Sequence, residues 1–153
     1  MIEETILRHR RHIHQNPELS FQEYKTSKYI QDALSSMNIP FKVLANTGVV
    51  AYIGNGDRCI ALRADIDALP INEETNLPYS STNAGVMHAC GHDSHTAMLL
   101  GAAQILKQME HDVHGTVKLV FQPGEEKSPG GASIMLEQGV FDDIKPEAIF
   151  GQH

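Results

Sequence analysis

The spacing of apolar and polar residues divides the chain into a helical first part and a longer part in which strands and helices alternate. Residues 2–15 carry apolar side chains at helical spacing among many charges, which predicts a thin amphipathic helix ending at Asn16-Pro17. Ser20 and Glu23 have the spacing of a capping box, so we expect a second helix from Ser20 to about Asn38. The apolar face expected for that helix comprises Phe21, Tyr24, Ile30 and Leu34.

After Pro40 the pattern changes to short apolar runs separated by turns of Asn, Gly and Asp, which predict strands. A later amphipathic stretch predicts a helix from about Ser94 to Glu110. Residues 65–89 are polar and irregular, and a loop of this length is usually functional or disordered. The predicted strands are residues 41–44, 48–53, 59–62, 116–122 and 148–150, with a short helix at 132–138. The alternation predicts an α/β layered domain.

Composition narrows the possible partners and the cellular compartment. Among 153 residues, 12 Lys and Arg oppose 19 Asp and Glu, and the net charge of −7 disfavours nucleic acid or an anionic membrane as the main partner. We expect neither a membrane span nor a secretory signal. The two cysteines, Cys59 and Cys90, indicate a reduced cytoplasmic protein, with a disulfide between them as the alternative. Because His153 directly follows an apolar run, we expect the sequence to be part of a longer protein.

Three short stretches and the last residue hold nearly all side chains suited to metal chemistry. Each stretch follows a predicted strand or precedes a predicted helix, and ligands gather at such positions in open α/β sheets. The stretches are residues 63–67, 87–95 and 122–126, and His153 follows the last predicted strand. The fold would have to bring these four regions together.

Cys90 and His92 lie two residues apart, just before a predicted helix. In an extended segment they point to the same side, so that the thiolate and the imidazole could bind one metal ion, as zinc sites allow. The alternative of equal weight is a buried thiol beside a hydrogen-bonded histidine. His95 falls on the apolar helix face, so we expect it to pack or to support a ligand, while His88 stays undecided. We expect solvated histidines in the first helix, namely His9, His12 and His14.

Two pairs of carboxylates follow predicted strands. Glu125 and Glu126 are adjacent in a Pro/Gly loop, and in a metal hydrolase one such carboxylate binds the ion while the other takes a proton from water. The alternative is an exposed acidic turn, but the buried strand leading into the pair favours a site. Asp65 and Asp67 point to the same side of an extended chain, where either one could orient a metal-binding histidine or simply cap the strand end.

Three motifs resemble those of the metal-dependent amidohydrolase family that includes N-acyl-L-amino-acid amidohydrolases, hippurate hydrolases, N-acetyldiaminopimelate deacetylases and plant auxin-conjugate hydrolases. They are LRADIDALP at residues 62–70, MHACGHDSH at 87–95 and FQPGEE at 121–126. Residues 12–21 are similar to the N-terminal signature of the same family. The resemblance spans essentially the whole chain, with the motifs in the family's order.

The resemblance implies a fold and a set of site residues. The implied fold is α/β, a layered zinc-exopeptidase-like catalytic domain with a mixed β-sheet flanked by helices, of which residues 1–153 are the N-terminal part. Two divalent metal ions are implied, zinc or manganese, with cobalt or nickel as alternatives. The implied metal ligands are Cys90, His92, Glu126 and His153, with Glu125 as the general base and Asp65 as an active-site residue beside the metals.

The activity implied by the resemblance is hydrolysis of the amide bond of an N-acyl amino acid or a short peptide, by a water molecule that the metals activate and Glu125 deprotonates. Family members also carry a smaller domain that serves as a lid and for dimerisation, so we expect a homodimer. That domain and the later part of the chain would supply the last metal ligand, and residues 1–153 alone would bind metal poorly. The alternative is a non-catalytic metal-binding or regulatory fragment of the same fold.

Overall fold

Five strands form a mixed sheet with helices on both of its faces, and the computed structural model describes every residue from Met1 to His153. The elements are α1 (Ile2–Gln15), α2 (Tyr24–Ser36), β1 (Phe41–Leu44), β2 (Gly48–Gly54), β3 (Cys59–Asp65), α3 (His92–Gln108), a 3₁₀ turn (Glu110–Asp112), β4 (Thr116–Gln122), α4 (Gly131–Glu137) and β5 (Ala148–Gly151). The predicted α/β fold is confirmed. No helix has the length and the apolar character that crossing a membrane requires.

The strand order β1-β2-β4-β3-β5 determines where the candidate site lies. β3 is parallel to both β4 and β5, while β2 is antiparallel to β4 and to β1. Asp65 at the end of β3 therefore lies opposite Gln122 at the end of β4. Because the carboxyl ends of the three parallel strands share one edge, the loops that follow them meet there.

The main hydrophobic core lies between the sheet and the pair α2 and α3. Ile30 of α2 and Leu100 of α3 pack in one buried cluster with Phe121 of β4. Val120, the neighbouring residue of β4, belongs to a smaller cluster with Met135 of α4 on the opposite face. All seven residues of β4 are buried, as expected for a central strand between two helical layers.

The second helix begins later than the sequence predicted, at Tyr24. Ser20 and Glu23 form no capping box, because each side chain has another partner. The Ser20 hydroxyl donates to Asp67, and the Glu23 carboxylate accepts from the amide of Phe21. Tyr24 is exposed rather than buried, so the predicted capping box and part of the predicted apolar face are wrong.

His14 is a further correction, because it is buried rather than solvated. Its Nδ1 lies 2.9 Å from a carboxylate oxygen of Asp93, and its Nε2 lies 3.1 Å from Glu73. Asp93 belongs to the first turn of α3, and Glu73 belongs to the long segment between β3 and α3. That segment contains no helix or strand, but His14 holds it against α1. His12, by contrast, is exposed as expected.

Lys118 is a buried charge in the middle of β4, with no exposed surface. Its Nζ donates to the carbonyls of Val140 at 3.0 Å and Ile144 at 2.7 Å, and to the carboxylate of Asp143 at 2.5 Å. Three acceptors therefore satisfy the ammonium group. The same bonds hold the chain between α4 and β5 against the sheet.

We expect Lys118→Met to lower the free energy of unfolding by about 1–3 kcal/mol, because it leaves buried carbonyl groups without a donor. Urea unfolding measures the loss. Lys42→Met is the matched control, since Lys42 lies 3.3 Å from the same Asp143 carboxylate but its side chain is 38% exposed. Exposed ion pairs contribute about 0–1 kcal/mol. Equal losses in the two variants would contradict a special contribution from the buried lysine.

The Lys118–Asp143 pair also predicts a loss of stability in acid. Burial alone would raise the pKa of Asp143, but hydrogen bonds from Lys118 and Tyr52 outweigh it and hold that pKa well below its usual range. Such a group stabilises the fold above its unfolded pKa of about 4, and the stabilisation is lost as the pH falls toward the folded pKa. We expect urea unfolding to show decreasing stability from about pH 4 to pH 2. Asp143→Asn should weaken this dependence, and an unchanged dependence would contradict it.

Candidate metal centre

The candidate ligands lie where β3, β4 and β5 end. Asp65 is the last residue of β3, Glu125 and Glu126 follow β4, and His153 follows β5. His92 enters the same place from the first turn of α3. The four regions picked out in the sequence therefore converge at one edge of the sheet.

His92 is the central residue of this site and has no exposed surface. Its Nδ1 lies 2.9 Å from the carbonyl oxygen of Asp67 and 3.2 Å from the carboxylate of the same residue. Since both neighbours of Nδ1 are acceptors, this nitrogen carries the proton in the neutral ring, and Nε2 keeps its lone pair. Nε2 is buried and has no hydrogen-bond partner. A histidine that binds a metal ion has this arrangement, with one nitrogen held by an acceptor and the other directed into the site.

Asp67 is the residue that orients His92. Burial would raise its pKa, but hydrogen bonds from His92, from the Ser20 hydroxyl and from backbone amides lower it to about 2. The Ser20 hydroxyl donates at 2.6 Å, and the amide of Glu126 donates at 3.0 Å to the same oxygen. The sequence left open whether Asp65 or Asp67 supports a histidine ligand. In the structure, Asp67 is the residue that contacts the Nδ1 of His92.

One group of possible ligands comprises Cys90, His92 and Glu126, whose ligand atoms all lie within 4.8 Å of one another. Glu126 Oε1 lies 3.8 Å from His92 Nε2. Zinc accepts thiolate, imidazole and carboxylate in one site. Cys90 is exposed, so the alternative of a buried thiol at this position is wrong. Partial desolvation and the neighbouring Glu126 raise the pKa of Cys90 to about 11, so a bound cation would have to replace the thiol proton. Both cysteines are free, which removes the disulfide alternative.

A second group comprises Asp65, His92, His95 and His153, again with ligand atoms within 4.8 Å. The Asp65 carboxylate lies 2.6 Å from His95 Nδ1 and 3.0 Å from His153 Nδ1. Burial would raise the pKa of Asp65, but the hydrogen bond to His95 and the charges of His92 and Arg63 lower it. The two groups share His92, so they form adjacent halves of one site. His153 lies in the Asp65 half rather than beside Cys90.

Glu125 lies at the open side of the site. Its Oε2 is 3.9 Å from His92 Nε2, and 30% of its side chain is exposed. No lysine or arginine forms an ion pair with this carboxylate among residues 1–153. A carboxylate that reaches both the site and solvent can exchange protons with a water molecule there.

His88, which the sequence left undecided, lies in neither group of ligands. It is 4% exposed, and neither of its ring nitrogens has a hydrogen-bond partner. Burial lowers the pKa of His88 to about 4, so its ring is neutral at pH 7. Its nearest aromatic neighbour is His14, with ring centroids 6.5 Å apart.

Residues 61–153 match the profile of Peptidase family M20/M25/M40. The chain belongs to this family. Its fold superposes on the crystal structure of the Bacillus subtilis YXEP protein, described as a dinuclear metal binding peptidase from the M20 family, with a TM-score of 0.92. The two sequences are 47% identical, and the match covers 99% of this chain and 43% of that one. The family resemblance found in the motifs is thereby confirmed.

Two curated M20 relatives are hydrolases by name. "IAA-amino acid hydrolase ILR1-like 6" of Arabidopsis thaliana is 53% identical over 146 residues, which are 94% of this chain and 31% of the relative. An uncharacterized hydrolase of Staphylococcus aureus strain USA300 is 48% identical over 153 residues, or 98% of this chain and 40% of the relative. The chain thus spans less than half the length of either relative.

Proposed function

We propose that residues 1–153 are the N-terminal part of the catalytic domain of a metal-dependent amidohydrolase that acts on N-acyl amino acids or short peptides. The observation that carries the proposal is the buried, unpartnered Nε2 of His92 among possible ligands and free carboxylates. The Arabidopsis relative supports the substrate class, since its name states hydrolysis of an IAA-amino acid. A non-catalytic metal-binding fragment would not need Glu125 beside Glu126.

The donor set fits two divalent ions. Cys90, His92 and Glu126 would hold metal in one half of the site, and His153 would serve the other half, which Asp65 adjoins. Mixed thiolate, imidazole and carboxylate ligands suit zinc, while the carboxylates and histidines also suit manganese, cobalt or nickel. The dinuclear description of the B. subtilis protein supports the number of ions.

In the proposed reaction, each residue of the site has a separate role. Bound divalent ions would polarise the amide carbonyl and lower the pKa of a water molecule toward about 7. Glu125 accepts a proton from the attacking water and later gives it to the leaving nitrogen. A new C–O bond forms, the C–N bond breaks, and the products are a carboxylic acid and an amino acid. Asp67 keeps the Nε2 of His92 directed into the site throughout.

The proposal also covers the cellular compartment and the oligomeric state of the protein. We place it in the cytoplasm, because its two cysteines are free. The difference in length from its relatives supports a further domain beyond residues 1–153, through which we propose that the protein forms a homodimer.

A metal and substrate survey of the intact protein tests the proposal. We expect about two divalent ions per chain. Hydrolysis should appear in a panel of N-acetyl, N-benzoyl and longer N-acyl amino acids, tested with zinc, manganese and cobalt. Chelation should abolish turnover, and added metal should restore it. Bound metal without turnover of any panel member would favour the non-catalytic alternative, and a protein that binds no metal would exclude both.

A further inference from the structure

Glu23 is a completely buried carboxylate outside the site. Its Oε1 accepts hydrogen bonds from the amides of Phe21 at 2.9 Å and Gly124 at 2.8 Å, and its Oε2 accepts one from the Thr47 hydroxyl at 2.7 Å. A buried carboxylate needs such donors, because an unpaired charge is costly to bury. The three donors come from distant parts of the chain, so one side chain joins the residues before α2, the turn before β2 and the loop after β4.

The backbone of Gly124, the residue before Glu125, has a conformation that its neighbours restrict. Its φ of 55° is in the left-handed region, and an added Cβ would lie 2.4 Å from ring atoms of Phe21. Only glycine can turn here with the ring so close. Its amide donates to Glu23, and its carbonyl accepts from the amide of Gly131 at 3.0 Å. Both polar backbone groups of Gly124 are therefore satisfied and fixed.

We propose that Glu23 is a positioning residue for the Glu125–Glu126 pair. Its bond to the Gly124 amide determines the direction in which the chain leaves β4, and the next two side chains are those that approach His92. On the far side, the amide of Glu126 donates to Asp67 at 3.0 Å. The backbone of the acidic pair is thus anchored at both ends by buried carboxylates. This inference rests on the proposed function, because it assumes that the pair does the chemistry.

Glu23→Met is the variant that tests the proposal. It keeps the approximate size of the side chain but removes every acceptor, so the amide of Gly124 is left without a partner. A misplacement of about 1 Å can cost up to about 10²-fold in rate, so we expect kcat to fall about tenfold or more, with a smaller change in KM. Loss of supporting hydrogen bonds weakens metal sites by about 10–100-fold, and we expect Zn²⁺ affinity to fall by about tenfold. Hydrogen exchange of the Gly124 amide should become faster.

Thr47→Val is the matched control. Thr47 is as deeply buried as Glu23 and donates to the other oxygen of the same carboxylate, so its loss removes one bond but leaves the bond to Gly124. We expect this variant to lose stability while its kcat, Zn²⁺ affinity and Gly124 exchange stay unchanged. Glu23→Gln keeps a carbonyl oxygen for the Gly124 amide and should retain most of kcat.

The proposal is overturned if Glu23→Met leaves kcat per folded molecule unchanged, because Glu23 would then act only on stability. It is also overturned if Thr47→Val lowers that kcat as much as Glu23→Met does, because the bond to Gly124 would then have no special effect. It is also overturned if Glu23→Met leaves Zn²⁺ affinity and Gly124 exchange unchanged. If Glu23→Met does not fold, Glu23→Gln decides: wild-type exchange at Gly124 and retained kcat support the proposal, and faster exchange with unchanged kcat refutes it. If the unmodified protein hydrolyses no substrate, the proposed function fails, while Zn²⁺ affinity and exchange still test the role of Glu23.

Discussion

Replacing Glu125 by glutamine should lower kcat for an N-acyl amino acid by about 10²–10⁴-fold, the usual contribution of a general base. The carboxylate lies 3.9 Å from the Nε2 of His92 and is open to solvent on one side. An amide of the same size cannot accept a proton from water at neutral pH. Because Glu125 is not among the proposed metal ligands, metal content should stay unchanged. Steady-state kinetics and metal analysis of the same preparation measure both quantities.

Glu126→Gln is the control, because it changes the same functional group one residue further along. Glu126 belongs to the ligand group with Cys90 and His92, so this variant should lose metal affinity together with activity. The two neighbouring glutamates would then have different roles. Glu125→Gln would bind metal but be inactive, whereas Glu126→Gln would bind metal poorly. Unchanged turnover in Glu125→Gln would remove Glu125 as the base, and loss of metal would make it a ligand.

The location of the site could be predicted from the sequence because it follows from the order of the elements. The pattern placed a buried strand at residues 116–122, and β4 has these bounds. Once strands and helices alternate, parallel pairing is expected, and residues that follow parallel strands collect at one edge. That reasoning is sufficient to expect Asp65, the acidic pair and His153 near one another. It does not predict which of these side chains would bind the same metal ion.

The supporting residues could not be predicted, because their partners are distant in sequence. Ser20 and Glu23 fit a local capping box, and no local pattern shows that their side chains reach Asp67 and Gly124 instead. The local capping pattern was overridden by tertiary hydrogen bonds. The sequence predicts a solvated His14 for the same reason, since the partners that bury it, Asp93 and Glu73, are 79 and 59 residues away. The one available signal was the motif at residues 12–21, which contains both His14 and Ser20.

For Asp65 and Asp67, the sequence predicts the side of the chain on which they lie but not their separate contacts. Their spacing places both side chains on one side of an extended chain, and both do enter the site. Asp65 is the last residue of β3, whereas Asp67 lies beyond the strand. There Asp67 presents both its backbone carbonyl and its carboxylate to His92, which alternation along a strand does not predict.

His92→Gln should have the largest effect on metal binding, because His92 belongs to both groups of ligands. Even outer residues that only support a ligand contribute about 10–100-fold to metal affinity, so loss of the proposed ligand common to both groups should cost at least about 100-fold. Its Nε2 is buried without a hydrogen-bond partner, and the glutamine side chain does not reproduce the imidazole lone pair. Competition titration with a chromophoric chelator measures the affinity for Zn²⁺ in the intact protein.

His88→Gln is the control that distinguishes loss of a metal ligand from loss of a buried imidazole. Both histidines are buried and both carry unpartnered nitrogens, but the ligand atoms of His88 lie in neither group. If burial of an imidazole near the site were sufficient, the two variants would lose metal equally. We expect His88→Gln to change the free energy of unfolding more than the Zn²⁺ affinity, and His92→Gln to do the reverse. Equal affinity losses would mean that the metal is held elsewhere than at the shared histidine.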